Sequence, residues 1–598
     1  ALDAAVTGAN NTAIGKSALT ALTSGNNNVA VGRQALLDLT EGTNNQGIGV
    51  NSGENITTGG FNAFIGTNAG ATLTTGSNNI GIGYNSVQKT TTASNNVGIG
   101  YEALQENTTG SENTSLGGNS LDANTTGGNN VGLGYNALSN NTTASENTAV
   151  GSQALAANTT GTYNAAFGRK ALQDNTTANN NTAFGAFSLR DNTTGTSNTG
   201  LGASALDGNT TGSSNTAVGA SALLTNTTGS NNTAIGHQAL EDTTTTGGNT
   251  AVGYQALLEN TNSNNTGIGY QALKNNTSGY YNVALGLQSL ALNTSGVQNT
   301  AVGYQALDAN TTAHNNVAMG AYSLGANTTG TSNTAVGANA LDTATTATEN
   351  TAIGRNALKS TTTGGYNVAV GSGALYTNTT GQKNTAVGRD ALVANTTGTI
   401  NVAVGYHALN TNTEGSANVA VGNEALEENT TGGSNTALGD ETLEFNTTGS
   451  SNVAVGNDAL YANTTASNNV AVGANALQAN TTGSSITAVG QNCLGSASTG
   501  NGNTNTTAVG SAAGRYSVGA NNSTLIGHGA GLRITGGDDY TFVGYQAGGS
   551  LDGANTTGQS NNGFGNVALG RLTSGTHNTA LGKASMTNIT TGDKNSAV

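Results

Sequence analysis

Asn147-Thr-Ala-Val-Gly-Ser-Gln-Ala-Leu-Ala-Ala-Asn-Thr-Thr-Gly-Thr-Tyr163 is one copy of the seventeen-residue unit that decides the fold of this chain. The next copy places its central glycine, Gly168, seventeen residues after Gly151. We call this glycine the anchor and number the unit from it, so that position −1 is Val150 and position +4 is Leu155. A repeat of this length indicates that each copy is one coil and that the chain is a stack of coils.

The anchor recurs with a constant step over most of the 598 residues. It occupies Gly15, Gly32, Gly49, Gly66, Gly83 and Gly100 and continues in steps of seventeen to Gly253, slips to sixteen at Gly269, and resumes from Gly286 to Gly490. From Gly490 to Gly565 the spacings are 20, 17, 17 and 21 residues. We therefore predict a regular solenoid over 1–490, irregular repeats with longer loops over 491–565, and resumed repeats over 566–598.

Residue type within the unit depends on position. Position −1 is nearly always a large apolar residue and −2 is Ala or Gly, while +3 is mostly Ala or Ser, +4 mostly Leu and +7 mostly Asn. Alternation from −4 to −1 is typical of a strand with one buried face. The Asn-Thr-Thr-Gly segment and the anchor favour turns, because Asn and Gly tolerate positive φ. We predict an all-β fold, a parallel β-solenoid (β-roll or β-helix) with two or three short strands per coil.

A helix beginning at the Ala-Leu pair is the competing interpretation, but Gly, Thr and Asn surround this short segment. Stacked coils would place parallel strands about 4.8 Å apart and align Asn and Thr in hydrogen-bonded ladders. We expect positions −1 and +4 to form the core. The small residues at −2 and +3 would let a second chain approach closely, so we expect an elongated rod that forms a homo-oligomer, most simply a homotrimer. A lone solenoid is the alternative.

Composition excludes several classes of function. Charged residues are only 8% and the net charge is −15, so no basic surface for nucleic acid is expected. No run of some 18 apolar residues occurs, so we expect no membrane insertion.

The single cysteine, Cys493, stands at +3 and is predicted to be a small buried side chain. Ala1-Leu2 matches Ala18-Leu19, so we expect this chain to be part of a longer array, truncated at both ends.

The pattern Asn-(Thr/Val)-Ala-(Val/Ile)-Gly-x-x-Ala-Leu resembles the head repeats of trimeric autotransporter adhesins, and it is similar to collar and shaft repeats of phage tail-fibre-like proteins. Ala251-Val-Gly-Tyr-Gln-Ala256 carries the likeness, which covers almost the whole chain. The resemblance implies a trimeric parallel β-roll. The seventeen-residue unit with its Asn-Thr-Thr-Gly insert is longer than the common adhesin repeat and closer to the tail-fibre-like versions.

No grouping of catalytic residues is visible, so we predict no enzyme activity, no cofactor and no metal site. The five histidines stand at different repeat positions and are expected to lie far apart: His237, His314, His407, His528 and His577. Acidic residues favour positions +2, +5 and +6, where Lys and Arg also occur, which is typical of solvating charges rather than paired catalytic carboxylates.

Asn-x-Thr sequons recur at position +7 and include Asn107, Asn124, Asn158, Asn175, Asn226, Asn310 and Asn480. They are either glycosylation sites or turns that carry an Asn–Thr ladder. The ladder is favoured, because sites about 4.8 Å apart would be crowded by sugars. The Thr-Thr pairs also suggest a flat ice-binding array, but neighbouring strand residues face opposite ways, which disfavours it.

The irregular region changes the core pattern. The +4 Leu becomes Gly in the pairs Ala513-Gly514, Ala530-Gly531 and Ala547-Gly548, which would thin the core, and the same Ala-Gly pair occurs once early, at Ala69-Gly70. Aromatic residues accompany this change and define a candidate partner-contact patch: Tyr516, Tyr540, Phe542 and Phe564. A packing variant is the alternative interpretation.

We therefore expect a structural fibre or filament protein, an extracellular, cell-surface or virion appendage that serves adhesion or attachment to a host or surface. Its expected partners are copies of itself, with end-to-end filament assembly included, and a cell-surface glycan or receptor. The alternative is a glycan-binding module that uses the rod surface. Tyrosines at +1 would then be the stacking platforms, although +1 also accepts Arg, Ala, Ser and Asp: Tyr84, Tyr101, Tyr135, Tyr254, Tyr270 and Tyr304.

Overall fold

The computed structural model describes residues 6–496, 503–549 and 551–598. This described part consists of 35 short β-strands joined by turns and contains no helix. Contacts divide the chain into two compact units, Ala1–Gln298 and Asn299–Val598. We call them unit 1, which holds strands β1 to β17, and unit 2, which holds β18 to β35.

The strands of unit 1 are, in order from β1 to β17, Thr12–Ile14, Val29–Val31, Gln46–Ile48, Ala63–Ile65, Ile80–Ile82, Val97–Ile99, Thr114–Leu116, Val131–Leu133, Thr148–Val150, Ala165–Phe167, Thr182–Phe184, Thr199–Leu201, Thr216–Val218, Thr233–Ile235, Thr250–Val252, Thr266–Ile268 and Val283–Leu285.

The strands of unit 2 are, in order from β18 to β35, Thr300–Val302, Val317–Met319, Thr334–Val336, Thr351–Ile353, Val368–Val370, Thr385–Val387, Val402–Val404, Val419–Val421, Thr436–Leu438, Val453–Val455, Val470–Val472, Thr487–Val489, Thr507–Val509, Thr524–Ile526, Thr541–Val543, Asn562–Phe564, Thr579–Leu581 and Ser596–Ala597.

Within each unit, every strand pairs in parallel with the strand of the next coil. The register joins equivalent repeat positions: Val150 of β9 lies opposite Phe167 of β10, and Ala149 lies opposite Ala166. The sixteen-residue step keeps this register, because Val252 still pairs with Ile268. The predicted parallel β-solenoid of seventeen-residue coils is confirmed for each unit.

The prediction of two or three strands per coil is wrong, because each coil has a single strand of at most three residues in the described part of the chain, with two isolated bridges, Val518–Thr535 and Ile534–Thr556, outside the strands. The Ala-Leu segment is not extended: Gln153 at +2 and Leu155 at +4 have φ values of 60° and 53°. This left-handed conformation turns the chain at both positions. Hydrogen bonds between coils nevertheless continue there, since the Leu155 N–H donates to the Ala171 carbonyl oxygen at 2.9 Å.

The interior of the coil differs from the prediction at three positions. The +4 Leu is buried as expected, but the large apolar residue at −1 faces outward, and Ile235 and Phe184 are 40% and 55% exposed. The small residues at −2 and +3, such as Ala149 and Ala154, are fully buried. They fill the interior beside Leu155 and leave no room for −1, so they do not serve the approach of another chain.

Two ladders of buried asparagines complete the interior. At −4, the Asn147 amide nitrogen Nδ2 donates to the Gly161 carbonyl oxygen at 2.8 Å, and its Oδ1 accepts the Asn164 backbone N–H at 3.0 Å. At +7, the Asn158 Nδ2 donates to the Asn141 Oδ1 at 2.9 Å. Both side chains are completely buried. The neighbouring coils therefore supply hydrogen-bond partners for these buried amides, which confirms the predicted Asn ladder.

In three of the coils that have Gly instead of Leu at +4, a larger residue at −2 takes the place of the Leu in the core. Gly70 stands at +4, and a Cβ atom there would lie 2.6 Å from the Phe64 ring, which is fully buried at −2 of the same coil. Leu525 with Gly531 and Phe542 with Gly548 repeat the exchange. In these three coils the core is therefore not thinned as predicted, because a large side chain on one wall of the coil replaces the Leu on the other wall. The exchange does not occur at Gly514, where the −2 residue is the small Ala508.

This exchange predicts a compensating pair of substitutions. Phe64→Ala should destabilise unit 1 by about 3–5 kcal/mol through the cavity it leaves. Gly70→Leu alone should also destabilise, because the new side chain meets the Phe64 ring. The double variant should recover most of the loss, since Leu adopts φ near +53° at this position elsewhere. Urea unfolding of the four proteins measures the coupling, and simple additivity of the two losses would contradict the exchange.

Candidate interaction surface

The outward side of the strands forms one surface in each unit, which we call the outer face. It consists of the side chains at −3, mostly Thr or Val, and at −1, which are aliphatic or aromatic. These side chains are half-buried or exposed, and Leu201, Met319 and Leu438 are 45%, 44% and 46% exposed. No charged residue occurs in any of the described strands, although the chain carries 31 acidic and 16 basic side chains. Among the described residues, the charges are therefore confined to the turns.

The outer face follows from the alternation of the strand. Position −4 holds a buried Asn and −2 a buried Ala, so −3 and −1 must point away from the interior. Because the register is exact from coil to coil, the side chains at −1 form a column along each unit. An aliphatic column beside a threonine or valine column is an apolar surface that water solvates poorly.

The four residues of the predicted partner-contact patch do not lie on one surface. Tyr540 and Phe542 stand at the inward positions −4 and −2 and are fully buried, so the prediction that they contact a partner is wrong. The Tyr540 hydroxyl donates to the Gly536 carbonyl oxygen at 3.2 Å. Phe564 stands at −1 and belongs to the outer face, while Tyr516 is half-buried under the Arg533 guanidinium, 4.6 Å from the ring centroid. Residues 497–502 and 550 of the irregular region lie outside the described residues.

The tyrosines at +1 are exposed, as expected, but several cover one another. Tyr254 stacks on His237 on one side and on Tyr270 on the other, with ring centroids 5.7 Å and 5.2 Å apart. Tyr84 and Tyr101 stack in the same way at 5.6 Å. In these stacks at least one face of each tyrosine ring, the face that a sugar would need, is covered by the neighbouring ring. Glycan binding stays a prediction that these contacts do not favour.

The sequons at +7 are inaccessible in the folded chain. Asn158 is fully buried, its Nδ2 donates to two oxygens, and its Oδ1 accepts the Asn175 Nδ2 at 3.0 Å. The following Thr159 hydroxyl donates to the Thr176 carbonyl oxygen at 3.0 Å. Of the two interpretations of these sequons, the structure therefore favours the hydrogen-bonded turn.

Cys493 is fully buried, which confirms its prediction as a small interior residue. Its thiol lies 3.3 Å from the Ala508 carbonyl oxygen, and burial raises its pKa to about 12. A thiol so seldom ionised at neutral pH is a poor nucleophile.

A membrane-spanning helix is not found in the described ranges.

A cluster of acidic groups and one histidine lies on the turn side of unit 2. The five histidines do occupy separate coils, but His407 meets carboxylates of the next coil, Glu424 and Glu427. Burial, and then the carboxylates of Glu441 and Glu424, raise the pKa of Glu444 to about 7. Histidine positions alone do not indicate this cluster. The sequence signal for it is a titratable residue at position +2 in successive coils, because parallel stacking brings equal positions together.

No protein-family model matches this chain, and no curated protein matches it significantly. The resemblance to adhesin heads and tail-fibre-like repeats therefore depends on the repeat pattern alone.

Glycosylation offers a direct check that the asparagines at +7 are buried, because the chain also has sequons on exposed turns. Asn180 and Asn231 at +12 are exposed and followed by Asn-Thr. If the chain is secreted through a glycosylating pathway, we expect glycans at these two sites and none at Asn158 and Asn226. Mass spectrometry of glycopeptides measures the occupancy. Glycans at Asn158 on protein that retains its β-rich circular dichroism would contradict the buried ladder.

Proposed function

We propose that this chain is a structural fibre protein that forms part of an elongated extracellular or virion appendage and serves adhesion or attachment to a surface. The observation that supports this most is the uncharged outer face, which every described coil extends within its unit. A column of apolar side chains is costly in water and is typical of a surface that binds another molecule. The resemblance of the repeat pattern to adhesin heads and tail-fibre-like repeats supports the same function.

The partner that fits the outer face best is another copy of the same chain. A parallel copy repeats the same column at the same coil spacing, so that side chains at −1 meet side chains at −1 along a unit. A stable interface buries about 800 Å² per partner, or roughly 50 Å² for each coil of unit 1. Part-exposed Ile, Leu and Phe side chains are large enough to contribute areas of that order.

A homotrimer is the simplest assembly for such columns, because three of them can meet around one axis and exclude water from all three. The contact surface of the proposed homotrimer is the outer face. The small residues at −2 and +3 cannot form it, because they lie inside the coil. Hydrophobic burial then stabilises the assembly while the charged turns remain in solvent. Attachment would be made by the exposed turns or by other parts of the appendage.

Charges placed on the outer face test this function. We expect the triple variant Leu201→Lys, Val218→Lys, Ile235→Lys to lose self-association, because lysines at −1 cannot be buried unpaired. A matched control adds three lysines to the exposed column at +9, through Thr194→Lys, Thr211→Lys and Thr228→Lys. Light scattering after size exclusion should give about three times the 58.6 kDa chain mass for the parent and the control, and the chain mass for the outer-face variant.

Two results would contradict the proposal. A parent chain that is monomeric at micromolar concentration would remove the need for an interface, and an outer-face variant that still associates would place the interface elsewhere. Circular dichroism of all three proteins establishes that the coils remain folded.

A further inference from the structure

Five successive coils of unit 2 carry a titratable side chain at position +2: Asp390, His407, Glu424, Glu441 and Asp458. Glu427 and Glu444 add carboxylates at +5. We propose that His407, Glu424 and Glu427 form a binding site for a divalent transition-metal cation of the Zn²⁺ class. The site is built from two adjacent coils and does not involve the outer face.

The geometry of the three side chains suits such an ion. The His407 Nδ1 lies 3.1 Å from the Glu427 Oε1, and one ligand atom from each of the three residues lies within 4.8 Å of the others. Zn–N and Zn–O bonds of about 2.0–2.2 Å give ligand–ligand distances of roughly 3.4 Å in a tetrahedral site. The His407–Glu427 pair already has about that separation. Three protein ligands leave a fourth position for water.

The imidazole of His407 is held in place by its neighbours. The ring stacks on Tyr406 with centroids 3.8 Å apart, and its second nitrogen, Nε2, lies 3.9 Å from the Asp390 carboxylate. Asp390 is held in turn by the Arg389 Nε at 3.1 Å. The Asp390 carboxylate therefore lies on the side of the second ring nitrogen, although at 3.9 Å the two groups are not hydrogen-bonded. Asn410 donates to the Glu427 Oε1 at 3.4 Å and positions that carboxylate.

The local charge also favours a cation. The sequence has no Lys or Arg between Arg389 and Arg515, and this stretch contains nine acidic residues: Asp390, Glu414, Glu424, Glu427, Glu428, Asp440, Glu441, Glu444 and Asp458. Among the described residues, the ion pairs formed by Lys and Arg do not include Glu424, Glu441 or Glu444. A bound divalent ion would neutralise carboxylates that the chain itself leaves uncompensated.

The histidine distinguishes this site from a general attraction of counter-ions. Ca²⁺ and Mg²⁺ prefer oxygen ligands alone, whereas an imidazole nitrogen suits zinc and its neighbours in the first transition series. The binding should therefore require His407 and should be selective against Ca²⁺ and Mg²⁺. A monomer would bind the ion as well as an oligomer, so the inference does not depend on the proposed fibre function.

Metal titration of the full chain tests the site. After chelator treatment, we expect Zn²⁺ to bind with one tight equivalent per chain in isothermal titration calorimetry. His407→Gln and Glu424→Gln should each weaken it at least tenfold, by analogy with the roughly 10–100-fold effects of altered metal sites. His237→Gln is the matched control, because His237 stacks on Tyr254 in another coil and belongs to no three-ligand group among the described residues. Co²⁺ should give a visible absorption band that His407→Gln abolishes.

Three results would overturn the proposal. They are an absence of saturable Zn²⁺ binding, binding that His407→Gln leaves unchanged, and Ca²⁺ binding of equal strength that is independent of His407. The last result would mean that the acidic column only condenses counter-ions. Circular dichroism of each variant, with and without the metal, separates the loss of a ligand from the loss of the fold.

Discussion

Close stacking of the anchor glycines is the constraint on which the rest of the structure depends. At Gly236, φ is 135°, and a Cβ atom would overlap the Gly253 carbonyl oxygen of the next coil. Only glycine combines that conformation with that approach. Once the anchors lie on one another, the register of every other position is fixed within the unit, and equal residues meet equal residues.

The register explains how a coil with one large apolar side chain remains ordered. Leu at +4 and two alanines fill the interior, and the buried asparagines at −4 and +7 exchange hydrogen bonds with the coils before and after. Within a unit, the same register places the −1 side chains in one column and the +2 side chains in another. A single geometric rule thus produces the outer face of each unit and the cluster around His407.

Much of the fold could be predicted from the sequence, because the seventeen-residue period and the residue type at each position indicate how the coils stack. Parallel pairing, the buried Leu155 and the Asn ladders are examples. The outward orientation of the side chain at −1 could not be predicted from residue size. The small Ala149 faces inward, and the larger Val150 does not. The turn at Leu155 was missed because leucine seldom adopts positive φ, and here hydrogen bonds between coils hold it there. Tyr540 and Phe542 are buried and not at a partner surface, because their repeat positions, −4 and −2, face the interior whatever the size of the residue.

Hydrogen exchange after substitution of one anchor tests the stacking most directly. Gly236→Ala should cost at least about 1–3 kcal/mol in backbone strain and raise exchange of the amides near Thr250–Val252 by roughly tenfold or more. Gly118→Ala, at +1, should leave exchange near the substituted residue unchanged, because a Cβ atom there would lie 3.7 Å from its nearest neighbour and the chain itself has alanine at +1 at Ala186 and Ala203. Protection in Gly236→Ala equal to that of the parent chain would contradict the anchor as the constraint that sets the register.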